Sequence, residues 1–166
     1  DIAKYEPETT AEVTQGAGAA AMLLSRQPRL LELDLGTIGY CSRDVDDFFR
    51  PLGSTTARVR GSYSMQNYQE SLDEAFLDYC ARRAVDPREA LLSTEVFALH
   101  APFRNMPIVA MIKLLEKHLG LSEVQAENFL DERSFHAGVD AVATVGNTYN
   151  SAMYLVLGAS LRERYR

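Results

Sequence analysis

The sequence predicts an α/β fold, and three stretches carry that expectation. In Glu95 to Leu119, EVFALHAPFRNMPIVAMIKLLEKHL, a short apolar run ends at His100 and Pro102 stops it. Met106, Val109, Ala110, Ile112, Leu114 and Leu115 then recur largely on one side of a helix. Pro107 falls in the first turn, where its missing N–H costs little. The stretch reads as strand, sharp turn, helix, with an imidazole at the turn. Upstream, Arg29 to Ile38, RLLELDLGTI, alternates Leu30, Leu33 and Leu35 with charges in the manner of a strand. Ser64 to Ala84 has the helical period instead, with Met65, Tyr68, Leu72, Ala75, Phe76, Tyr79 and Cys80 on its apolar side.

At 166 residues the chain has the size of one domain able to bury a core. Its 46% hydrophobic and 24% charged content is ordinary for a globular protein. A net charge of −6 without a dense Lys/Arg cluster argues against nucleic-acid binding. No apolar run approaches the ~20 residues a membrane span needs, and no signal pattern opens the chain. The expected location is therefore the cytosol, with no membrane partner. Cys41 and Cys80 are too few for a disulfide framework, and three histidines without an HxxxH or CxxC partner offer no metal site. The expectation is a protein without metal or cofactor.

Asp1 to Tyr5 resembles the exit from a strand, so the chain is expected to be a segment of a longer polypeptide. Glu6 to Thr14, broken by Pro7, reads as a loop. Gln15 to Leu24, QGAGAAAMLL, suits a buried strand or a tight helix, a glycine-rich packing strand being the better fit. Gly16 and Gly18 lack the third glycine and the acidic residue of a dinucleotide fingerprint. This stretch and Arg29 to Ile38 form a plausible hairpin-like pair. VDDFFRP, Val45 to Pro51, suits a surface anchor or the wall of a cleft. Ser62 or Ser64 can cap the following helix. Cys80 lies on the buried stripe and Cys41 has no obvious base, so neither suits a nucleophile.

Asp86-Pro87 starts a further helical turn. Gly120 ends the helix that begins at Asn105, and Ser122 opens a short one through Leu130, with Glu123 in its first turn. His118 suits a partner for a helix C-terminus, and His136 a solvated loop. Val142 to Leu161, VATVGNTYNSAMYLVLGASL, places Gly146-Asn147 before an apolar helix. Asn147 can cap that helix, or offer a carboxamide where developing negative charge is stabilised. His100, placed where a strand ends, has the chemistry to give or take a proton near neutrality, or simply caps that strand.

Five motifs occur in order: Thr14 with QGAGAAAML, DFFRP at Asp47 to Pro51, GSYSMQNYQESL at Gly61 to Leu72, HAPF at His100 to Phe103, and GNTYNSAMY at Gly146 to Tyr154. On these the chain resembles the 3-hydroxy-3-methylglutaryl-CoA (HMG-CoA) synthase family of the thiolase superfamily, over nearly its whole length. The resemblance implies a thiolase-like αβαβα layered fold, incomplete in this chain. Residues 1–40 would end its first half, 41–90 would hold a family-specific insertion and helix, and 91–166 would belong to its second half.

The family condenses an enzyme-bound acetyl group with an acetoacetyl thioester. A cysteine carries the acetyl group, a glutamate removes a proton from its methyl carbon, and the carbanion attacks the ketone. By motif position His100 resembles the histidine that holds or protonates the acetoacetyl carbonyl, and Asn147 the amide that orients it. Thr14 and Ser64 match positions lining the substrate site. The family's cysteine and glutamate would lie upstream of Asp1 and a glycine/serine-rich loop after Arg166, so the chain alone is not expected to turn over substrate. Acetyl-CoA and the acetoacetyl thioester would be substrates rather than cofactors, and a homodimer is implied.

Mevalonate-pathway synthases carry CoA-binding lysines five and nine residues after the histidine. Here Asn105 and Val109 stand there, with Arg104 and Lys113 as substitutes. The HxPFxxM pattern resembles the polyketide β-branching synthases, whose acceptor rides on an acyl carrier protein. A mevalonate-pathway enzyme using acetoacetyl-CoA is the close alternative, and a non-catalytic thiolase-fold scaffold subunit is an alternative of another class. DFFRP and the helix around Tyr68 speak against a ketoacyl or chalcone synthase.

Overall fold

The computed structural model describes residues 4–9 and 11–166. Three short strands, β1 (Lys4–Tyr5), β2 (Phe48–Phe49) and β3 (Thr56–Val59), precede six helices. These are α1 (Gly61–Arg83), α2 (Pro87–Ser93), α3 (Asn105–Leu119), α4 (Glu123–Asp131), α5 (Phe135–Val145) and α6 (Asn150–Arg164). In the sheet β3 is central, parallel to β1 and antiparallel to β2, with Tyr5 opposite Ala57 and Phe49 opposite Arg58. The chain is a mixed helix-and-sheet structure, and residues 1–3, which begin the expected strand exit, lie outside the described residues.

Helix α3 is the centre of the core because its apolar spacing covers most of its circumference. Met111 and Leu115 are 1% and 0% exposed, and they pack with Leu91, Ala126, Leu130, Phe135 and Val139 from the surrounding helices. Gly120 ends α3 in the left-handed region (φ 69°), where glycine carries no Cβ penalty. Ser122 and Gln125 start α4 with a reciprocal capping box. Asp86 caps α2 by accepting from Arg88 and Glu89 N–H groups. Helices α5 and α6 close against each other because Gly138 has no Cβ, which would come within 2.9 Å of Val156 Cγ1. A second apolar cluster, Ala101, Val142, Ala152 and Val156, fills the space beside them.

Several local expectations are corrected. Neither Gln15 to Leu24 nor Arg29 to Ile38 forms a strand, and the hairpin-like pair is absent from the described residues. An extended backbone becomes a strand only when another strand takes up its N–H and C=O groups. Here only an isolated bridge, Gln15 with Asn147, and a 3-10 turn at Leu35–Thr37 form, while Leu23 and Leu30 stay 95% and 81% exposed. Glu95 to His100 likewise is not a strand; it is a partly buried connector fixed by side chains, with Phe97 against Phe129 at 6.3 Å. Helix α1 begins after Arg60 without a side-chain cap, and the Ser64 hydroxyl donates to Asp47 at 3.2 Å rather than accepting from the first N–H groups of the helix. His136 lies inside α5, not in a loop, and its ring meets Asp131 (2.5 Å) and Glu127 (3.1 Å). His118 pairs with Asp73 of α1 at 2.7 Å, which ties α3 to α1.

Candidate functional site

A closely packed polar arrangement lies where the GNTYN loop meets the Thr14 segment. Gly146 adopts φ 87°, a conformation that favours glycine, and its missing Cβ lets Gln15 and Gly16 come close. The approach is mutual: a Cβ on Gly16 would sit 2.5 Å from Gly146 C. Two motifs far apart in the chain dock through two glycines. The docking is fastened by the Asn147 N–H donating to Thr14 O at 2.7 Å. Thr14 directs its own hydroxyl to Ala11 O at 2.7 Å, so it contributes its backbone rather than its side chain to this contact.

Asn147 is 7% exposed, and its Oδ1 accepts from the Tyr149 N–H at 2.9 Å. The carboxamide therefore serves the loop and not the start of α6, which begins three residues later without a side-chain cap. With Oδ1 engaged, the Nδ2 end is the one that can donate to a ligand. Tyr149 is an ordinary side-chain-bearing residue held at φ 55°, ψ −126°. Its hydroxyl bonds that of Tyr5 on β1, where burial is the largest influence raising the Tyr5 pKa.

His100 ends the connector that leads to α3. Its backbone C=O accepts from the Tyr68 hydroxyl of α1 at 2.6 Å, and desolvation by burial raises the Tyr68 pKa. The residue keeps an open face to solvent, yet the surrounding protein desolvates the ring enough to lower its pKa below the usual histidine value. The nearby Tyr149 backbone opposes that shift without cancelling it. A neutral imidazole carries one N–H donor and one acceptor nitrogen, and only the charged ring donates from both.

Tyr149 thus joins Asn147 to Tyr5, and the Asn147 loop brings in the Thr14 backbone. Ser64 and Arg104 lie elsewhere. Ser64 is buried at the start of α1 against Asp47. Arg104 donates its Nε to Asp140 of α5 at 2.5 Å. It lines a separate groove of about 490 Å³ with Asn105, Val109, Glu123, Glu127, Asp131 and His136. That groove does not include His100 or Asn147, so its size does not make it the reacting centre. Neither cysteine joins the cluster: Cys80 is buried in α1 and Cys41 donates to Glu74 at 3.1 Å. The sequence reading missed Tyr5, Tyr149 and the role of Tyr68. Tyr149 stood inside a quoted motif, and Tyr68 was absorbed into the apolar stripe of its helix.

No protein-family profile matches the chain. Among curated proteins, the hydroxymethylglutaryl-CoA synthase of Enterococcus faecalis is 32% identical over 157 residues, 95% of this chain and 38% of that protein. The polyketide biosynthesis 3-hydroxy-3-methylglutaryl-ACP synthase PksG of Bacillus subtilis is 26% identical over 151 residues, 91% of this chain and 35% of that protein. A solved structure of MvaS in complex with 3-hydroxy-3-methylglutaryl coenzyme A superposes with a TM-score of 0.82 at 33% identity. It covers 99% of this chain and 44% of that one. The chain thus spans roughly two fifths of the length of these relatives, which fits an incomplete thiolase-like fold. By sequence and by fold the chain belongs to the hydroxymethylglutaryl-CoA synthase family.

Proposed function

We propose that this chain supplies the acceptor side of an HMG synthase-type condensation. The observation that carries the reading is the docked GNTYN loop, in which Asn147 N–H donates to Thr14 O and Asn147 Oδ1 accepts from the Tyr149 N–H, leaving Nδ2 to donate. In the proposed step a carbanion derived from an enzyme-bound acetyl thioester forms a C–C bond to the ketone carbon of an acetoacetyl thioester. The ketone π electrons move to oxygen, and the alkoxide takes a proton from the His100 imidazolium. Asn147 Nδ2 donates to the same oxygen as its charge grows. His100 and Asn147 are the catalytic residues of this reading. Thr14 fixes the loop through its backbone carbonyl, while Ser64, bonded to Asp47 away from that loop, has no direct part in the step. The acetyl-bearing cysteine and the carbon base would come from the part of the family fold beyond this span, since neither Cys41 nor Cys80 faces His100.

The acceptor thioester rides on an acyl carrier protein in our reading. Asn105 and Val109 bring no cation to the groove that Arg104 lines, and Glu123, Glu127 and Asp131 surround it with negative charge, which suits a polyphosphate poorly. Acetoacetyl-CoA is the second reading, favoured by the higher identity to the HMG-CoA synthase of E. faecalis than to PksG. A cytosolic homodimer completes the proposal by family resemblance.

The test is the full-length protein supplied with acetyl and acetoacetyl thioesters on each carrier. His100→Ala should leave acetylation of the enzyme intact and abolish HMG thioester formation. Unchanged condensation in that variant would remove His100 from the mechanism.

A further inference from the structure

We propose that Tyr68 of α1 is a positioning residue for His100, its hydroxyl holding the peptide that follows the imidazole-bearing residue. The inference rests on the condensation reading for its kinetic consequence, and on a hydrogen bond and its surroundings for the structural one. Glu95 to His100 forms no strand, so its carbonyl groups have no ladder to take them up. Side chains hold this connector instead. Arg133 Nε donates to Thr94 O at 2.9 Å just before it, and Phe97 lies against Phe129 at 6.3 Å within it. At its end the Tyr68 hydroxyl donates to His100 O at 2.6 Å.

The last of these contacts bears on the imidazole. His100 O belongs to the peptide that joins His100 to Ala101, and Ala101 is fully buried beside Val142, Ala152 and Val156. One end of that peptide is packed and its carbonyl is hydrogen-bonded. Together they fix the peptide plane, and with it the direction in which the His100 side chain leaves the backbone. Tyr68 can serve as the fixed point because α1 is anchored separately: Leu72 and Phe76 of the same helix pack against the core cluster centred on α3. Burial also raises the pKa of the phenol, so it remains a donor at neutral pH. An imidazole that must reach one oxygen tolerates little displacement, since misplacing a reacting group by about 1 Å can cost ~10²-fold in rate.

Tyr68→Phe deletes the hydroxyl and keeps the ring. Because His100 is exposed, water can take the freed carbonyl, and the fold should survive. The full-length protein is tested already acetylated, with the acetoacetyl thioester on carrier protein or on CoA. The single-turnover rate at saturating acceptor should fall about tenfold or more, with the half-saturating concentration within about twofold of wild type. Amide exchange read by mass spectrometry should quicken over residues 97–104 and stay unchanged across α3. Ser122→Ala is the companion variant. It removes the capping box of α4 without touching the connector, so it should lower the melting temperature and leave condensation unchanged. Wild-type condensation by Tyr68→Phe, or unchanged exchange over residues 97–104, would overturn the proposal. So would an equal loss of rate in Ser122→Ala, which would make the effect one of general stability. If the wild-type protein forms no HMG thioester yet the connector loosens in Tyr68→Phe alone, the condensation reading fails and the anchoring of His100 stands.

Discussion

Gly146→Ala tests the docking of the Thr14 segment on the Asn147 loop. At φ 87°, ψ −178° an alanine enters a region that is essentially reserved for glycine, at about 1–3 kcal/mol. Its Cβ would also lie 2.8 Å from Gln15 C and 2.9 Å from Gly16 Cα, contacts to backbone that cannot rotate away. Overpacking of that kind costs a further ~1–3 kcal/mol, for a total of about 2–6 kcal/mol. Gly16→Ala meets the same backbone, 2.5 Å from Gly146 C, without the conformational penalty, so it should cost the overpacking part alone. Gly158→Ala on α6 has nothing within 4 Å of its Cβ and should stabilise by roughly 0.5–1 kcal/mol through helix propensity. Thermal unfolding of the three variants reads the series directly, at about 2–4 °C per kcal/mol for a chain of this size. The order should be Gly158→Ala above wild type, then Gly16→Ala, then Gly146→Ala lowest. If Gly146→Ala melts no lower than Gly16→Ala, the left-handed conformation at this hinge is not what the docking requires.

Two further outcomes follow from groups outside the site. Burial raises the Asp73 pKa, but the hydrogen bonds from Lys117 and His118 outweigh it and hold the carboxyl below its ordinary 3.8. A depressed acid stabilises the fold above its unfolded pKa and loses that contribution as pH falls through the folded value. Asp73→Asn should therefore be less stable than wild type at neutral pH, with the gap closing below about pH 4, measured by urea unfolding across pH. Cys80, 3% exposed and pushed up in pKa by burial and by Asp86, should resist a maleimide until the protein unfolds. The half-buried Cys41 should label in the native state, and equal labelling by mass spectrometry would contradict the packing of α1.

What could be read in advance follows the distance over which each feature is decided. Helices α3 and α4 were legible because the apolar period, Gly120 and the Ser122–Gln125 pair all lie within the segment they organise. The strands expected at Gln15 to Leu24 and Arg29 to Ile38 were not, since pairing depends on what lies alongside and not on the strand's own alternation. His136 was misplaced because α5 starts at a serine in the left-handed region (φ 56°), which leaves no capping signature. His100 and Asn147 were proposed from their motifs. Tyr149 was not, because a tyrosine forced to positive φ leaves no mark of the kind that glycine gives at Gly146.

The engaged Oδ1 of Asn147 also decides how that side chain can be interrogated. Alanine at this position removes the partner of the Tyr149 N–H as well as the donor, so its effect mixes positioning with chemistry. Aspartate does not. Its Oδ1 can still accept from Tyr149 at the same geometry, 2.9 Å in the native loop, while the outer atom becomes an anionic oxygen in place of Nδ2. The loop should stay docked, and melting should fall by little. The alkoxide would then face repulsion where it had a donor, and condensation should drop by at least the ~10²–10³ that loss of one such donor costs. The comparison is made by single-turnover kinetics with the enzyme already acetylated, which isolates carbon–carbon bond formation. Condensation in Asn147→Asp within tenfold of wild type would mean that the outer atom of this side chain does not meet the developing charge. Asn147 would then be a loop fastener alone, and the oxygen would depend on another donor.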